Sequence, residues 1–214
     1  GRNGQAYNNP EGRKAILQEL VAQKLLLLDA QKSGYAVGSF SIANMEMILG
    51  VIKAAEETKS PIILQIAEVR LNHSPLHIIG PTMIAAAKGA KVPVAVHLDH
   101  GTTLECIGQA LELGFSSIMY DCSTDTYEEN VRKVKEMAEI AHSYGATIEG
   151  ELGHVGTVND DVMEEYTDPA EAAEFVKRTG VTCLAVLIGN AHGHYKKPPK
   201  LDIERVKAIR EATG

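Results

Sequence analysis

Apolar and polar positions alternate between two patterns along this chain. Short runs rich in β-branched and other apolar residues, the composition of buried strands, occupy Tyr35–Phe40, Ile62–Ile66, Val92–Leu98, Ser116–Tyr120, Ala146–Leu152 and Thr182–Ile188. After each comes a stretch with helical spacing: Asn44–Glu57, Leu76–Gly89, Thr103–Leu113, Tyr127–Tyr144, Pro169–Thr179 and Asp202–Ala212. The boundaries carry matching chemistry. Asn44 is placed to cap its helix, Gly114 and Gly145 end theirs, and Asp168-Pro169 sets a capping carboxylate before a proline at the first helical position. A further helix is read over Glu11–Lys32, with an apolar run Leu25–Leu28 that needs a partner, after a loose Gly1–Pro10.

Six strand–helix units in strict alternation predict a parallel sheet with right-handed crossovers. An open doubly wound sheet and a (β/α)8 barrel, the latter about 250 residues when complete, both satisfy that pattern. The first unit lacks a GxGxxG turn and no GxxxxGK[ST] occurs anywhere, which weakens a nucleotide-binding open sheet.

The strand ends carry the chemistry. The stretch Val94–Gly101, VAVHLDHG, begins apolar and closes on His97, Asp99 and His100. Ionisable groups enter a core only when paired or bound to something, so their natural place is the open end of the strand. Taken alone, that strand end fits a pair of satisfied histidines and a helix-capping Asp equally well. The other strands change the balance. The fourth ends in Asp121, Cys122 and Ser123, the fifth carries Glu149 and Glu151, and the sixth ends in Gly189, Asn190, Ala191, His192, Gly193 and His194. In a barrel these ends converge on one rim, where such folds do their chemistry. Histidine and carboxylate donors without cysteine suit Zn²⁺ or a similar divalent ion in an open, catalytic shell, able to polarise a carbonyl and stabilise an enediolate. No lysine falls inside a predicted strand, Lys91 and Lys196 being the nearest, which argues against Schiff-base chemistry.

Composition bounds the rest. The net charge of -7 argues against nucleic acid as the main partner. No long apolar run is present, so no membrane span is expected. Three cysteines without CxxC spacing fit a reducing compartment, hence the cytoplasm. His73, His77 and His142 fall on loop or helix positions and read as surface or packing residues, and the acidic group Asp160, Asp161, Glu164 and Glu165 reads as a solvated loop.

HLDHG at His97–Gly101, MYDCS at Met119–Ser123, EGELGHVG at Glu149–Gly156 and IGNAHGHY at Ile188–Tyr195, with GYAVGSF at Gly34–Phe40, resemble the class II, metal-dependent ketose-bisphosphate aldolases. The resemblance implies a TIM (β/α)8 barrel in residues 25–214, with about six of its eight βα units present, after an N-terminal extension over residues 1–24. It implies a lyase that reversibly cleaves a ketose 1,6-bisphosphate, or a related ketose phosphate, to dihydroxyacetone phosphate and an aldehyde. Asp99 would exchange the proton at the C4 hydroxyl. His100 and His192 would hold a catalytic zinc, Asp121 and Glu151 a second, looser cation, and Gly193 would give a backbone contact to the substrate. A homo-oligomer, dimer or tetramer, is implied as well. A metal-dependent hydrolase on the same barrel is the alternative, but it expects an HxH pair on the first strand, and Gly34–Phe40 has no histidine. A catalytically inactive barrel fragment is a third reading.

Departures from the family pattern bear on specificity. Ser41 stands where many members have Asn, and Ala67 where they have Ser or Thr, which points to a different sugar phosphate or weaker phosphate binding. The family pattern goes on to a strand ending in HGGSG, the source of a third zinc histidine, and to one ending in NVxT; neither occurs in these 214 residues. Weak metal binding and little turnover are therefore expected of the 214-residue polypeptide, and more of both once that segment is added.

Overall fold

A computed structural model describes residues 23–153, 155, 166–195 and 198–214. Part of the helix read from Glu11, and the acidic group Asp160–Glu165, lie outside the described residues. The elements, in chain order, are α1 (Gln23–Ser33), β1 (Gly38–Ser41), α2 (Met45–Thr58), β2 (Ile62–Ala67), a 3-10 turn (Glu68–Asn72), α3 (Leu76–Gly89), β3 (Val94–Gly101), α4 (Leu104–Leu113), β4 (Ser117–Tyr120), α5 (Tyr127–Ser143), β5 (Thr147–Leu152), α6 (Pro169–Thr179), β6 (Cys183–Val186) and α7 (Ile203–Thr213). The six strands form one sheet in chain order, β1 to β6. The pairings β1–β2, β2–β3, β3–β4 and β5–β6 are parallel, as strict strand–helix alternation requires.

The chain divides into two compact units, Gly1–Tyr120 with Ile140–Ile148, and Asp121–Glu139 with Glu149–Gly214; the division passes through α5 and β5. In the first unit β2 and β3 are the inner strands. Leu64, Ile66, Ala95, Val96 and Leu98 are fully buried there, the continuous apolar run of a parallel strand covered on both faces. Helix α2 is capped by Asn44, whose side chain accepts from the Met47 amide, and α4 by Thr103, whose hydroxyl accepts from the Cys106 amide. The Glu68 carboxylate also accepts from the Thr102 and Thr103 amides and hydroxyls, a negative charge at the start of α4. Burial raises that carboxyl's pKa, but these bonds outweigh it and hold Glu68 below its usual range.

In the second unit Asp168 caps α6, accepting from the Ala170 and Glu171 amides. Phe175 of α6 is fully buried and meets Tyr127 of α5 edge-on at 6.2 Å. Gly150 of β5 lies where an added Cβ would press on Phe175 and Val181, so the missing side chain lets α6 pack closely on the strand.

Candidate active site

Strand β3 places the first pair of candidate residues. Its register against β4 slips between Leu98 and Gly101, and within that irregularity His100 adopts a left-handed backbone with φ of 43°. Side chains of adjacent strand residues ordinarily point to opposite faces. A bulge relaxes that rule, and here Asp99 and His100 are both half-buried, with His100 Nε2 4.0 Å from Asp99 Oδ1. Gly101 follows where a Cβ would sit 2.7 Å from the Met119 carbonyl oxygen, so the close approach of β3 to β4 requires glycine.

His97, two residues before Asp99, is a buried residue of the same strand face. Its Nδ1 pairs with Ser117 Oγ at 2.8 Å, and Ser117 in turn donates to Gln23 of α1. Burial, and secondarily the charge of His100, push His97 down to about 3, so it is a neutral hydrogen-bonding group.

Asp121 follows β4 directly. Its Oδ1 accepts from both the Ser123 amide (3.1 Å) and hydroxyl (2.7 Å), a local turn that holds the carboxylate over the strand end. Glu151 on β5 is only 1% exposed. Its Oε1 accepts from the Val155 amide at 2.9 Å, and the backbone carbonyl of the same residue accepts from Asn130 Nδ2 of α5. Both the side chain and the main chain of Glu151 are therefore held.

Asp99 and His100 belong to the first compact unit, Asp121 and Glu151 to the second. Imidazole and carboxylate are donors that suit zinc or a similar divalent ion. A buried carboxylate such as Glu151 also favours a cation beside it. His192 is exposed on the segment after β6. Gly193 has φ of 108°, a conformation that glycine alone adopts readily, on an exposed stretch of chain.

Sequence reasoning missed Gln65 of β2. Its side-chain amide donates to Asp99 Oδ2 at 3.0 Å. The residue sits in register with His97, two pairs before Ala67 and Asp99. A polar residue amid the run Ile62–Ile66 was the available signal.

The family model described as fructose-bisphosphate aldolase class-II matches residues 21–213. The chain belongs to the class II fructose-bisphosphate aldolase family. Among class II aldolases, it is 43% identical to the fructose-bisphosphate aldolase of Geobacillus stearothermophilus over 206 residues, covering 91% of this chain and 70% of that protein. It is 42% identical to the fructose-bisphosphate aldolase of Giardia intestinalis, covering 91% of this chain and 62% of that one. The crystal structure of the YdjI aldolase from Escherichia coli K12 superposes with a TM-score of 0.82 at 40% identity, over 91% of this chain and 70% of that one. The chain thus spans 62–70% of the length of these aldolases. Its fold is α/β, with six parallel strand–helix units of the aldolase TIM barrel.

Proposed function

We propose that this chain is a metal-dependent aldolase acting on a ketose 1,6-bisphosphate or a related ketose phosphate, with dihydroxyacetone phosphate and an aldehyde as products. The observation that carries the reading is the class II aldolase family match over residues 21–213, with Asp99 next to His100 at the end of β3. The donor set fits the zinc that the family resemblance implies. His100 and His192 would hold it, and Asp121 and Glu151 would hold a second, looser cation. A bound divalent ion supplies polarisation of the ketose carbonyl.

The chain's own residues do the remaining work. In cleavage the Asp99 carboxylate takes the C4 hydroxyl proton. The oxygen's electron pair forms the aldehyde carbonyl, and the C3–C4 bonding pair stays on C3, which then gains a proton to give dihydroxyacetone phosphate. Condensation runs the same transfers in reverse. Gly193 offers backbone to the substrate at close range, where a side chain would interfere. The setting proposed is cytoplasmic, in a homo-oligomer.

A coupled assay for dihydroxyacetone phosphate tests this reading. Triose phosphate release that EDTA stops and zinc restores is expected. A covalent substrate adduct trapped by borohydride would overturn the reading in favour of a lysine mechanism.

A further inference from the structure

The inner-strand residue Gln65 bonds simultaneously to two serines of β1 and to Asp99. Its Nε2 donates to Asp99 Oδ2 at 3.0 Å and to Ser41 Oγ at 2.9 Å, while its Oε1 accepts from Ser39 Oγ. Register explains the meeting. Gln65 pairs with Ser41 on one side and His97 on the other, so Ser39, Ser41, Gln65 and Asp99 share one face of the sheet, with Asp99 two pairs further along. Glutamine spans that diagonal; asparagine, one methylene shorter, would not.

We propose that Gln65, locked by Ser39 and Ser41, is a positioning residue that holds the Asp99 carboxylate in a single orientation. A serine hydroxyl both donates and accepts, so the serines alone would tolerate either orientation of the amide. The Asp99 carboxylate accepts, and so it decides which end of Gln65 faces it. Once that end is set, both amide protons are spent, one on Asp99 and one on Ser41. An amide in this state moves no proton of its own, so its contribution is geometric. The hold matters at this residue because the bulge after Leu98 interrupts the regular ladder to β4. Gln65 fixes Asp99 from the β2 side. Ordering a long side chain such as glutamine costs rotamer freedom, and three hydrogen bonds offset it.

The catalytic consequence rests on the reading of Asp99 as proton donor and acceptor; the geometric one does not. The test therefore has two readouts. Gln65→Met preserves length and apolar stem but removes the amide. In that variant the side-chain couplings of Asp99, read by NMR in labelled protein, are expected to collapse from the pattern of one rotamer to an averaged one. Ser39→Ala combined with Ser41→Ala, which leaves Gln65 in place, should give partial averaging and serves where Gln65→Met does not fold. In the aldolase assay Gln65→Met should lose roughly 10–100-fold in kcat with KM little changed, and Gln65→Glu, equal in shape but without a donor, should not rescue it. A single Asp99 rotamer surviving in both Gln65→Met and the serine double variant overturns the proposal. If the parent protein cleaves no ketose phosphate, the aldolase reading falls, while the coupling measurement still decides whether Gln65 positions Asp99.

Discussion

His100 holds a backbone conformation that histidine adopts at a cost, with φ of 43°. Such positions persist where a functional requirement outweighs the strain. His100→Gly is expected to be more stable than His100→Ala by about 1 kcal/mol, because glycine enters the left-handed region without a Cβ penalty. Denaturant unfolding of the two variants checks this; equal stability would mean the backbone at residue 100 is unstrained. His97 gives a pH prediction. Its pKa is about 3 in the folded chain against an ordinary 6.5, so the unfolded state binds the extra proton between those values. Stability from this group is complete above about pH 6.5 and declines as the pH falls toward 3. His97→Gln should flatten that limb of a urea-midpoint-versus-pH curve. At this scale the sequence was partly readable. Asp99, His100, Asp121 and Glu151 stood out as charged residues at the ends of apolar runs, but the bulge that brings neighbours 99 and 100 together was not visible. A register slip against β4 belongs to the pairing of two strands and leaves no mark in either one alone.

Elements with local signals were read closely. Helices α3 and α6 have the bounds expected from spacing and caps, and α4 begins one residue later because Thr103 is its cap. Asp168→Ala, which removes the double acceptor at the start of α6, should cost about 1 kcal/mol in thermal or denaturant unfolding. Elements whose ends depend on remote partners were read less well. The first strand was expected from Tyr35, yet the Tyr35 amide donates to the Ala30 carbonyl and its hydroxyl to Asp29, so this residue closes α1 and pairing starts at Gly38. The last strand stops at Val186 and not Ile188, because Leu187 exchanges hydrogen bonds with Thr167: its amide donates to the Thr167 hydroxyl and its carbonyl accepts from the Thr167 amide. The 3-10 turn over Glu68–Asn72 had no periodic signature to find.

At the scale of the whole molecule, β1 is an outermost strand whose four residues are all exposed. Phe40 on that strand is 44% exposed, and a groove of about 780 Å³ beside it is lined by Tyr35, Phe40, Val51 and Ala54. Open, apolar strand edges invite pairing with another chain. Sedimentation of the 214-residue chain should show concentration-dependent self-association that Phe40→Lys reduces; one monomeric species at every concentration would contradict this. Metal binding by the strand-end residues underlies the account as a whole, and calorimetric titration of zinc into the parent chain, His100→Ala and Glu151→Gln tests it most directly. Saturable binding to the parent, weakened about tenfold or more by either substitution, is the predicted result. Equal affinity in all three proteins, or no binding to the parent, would contradict it.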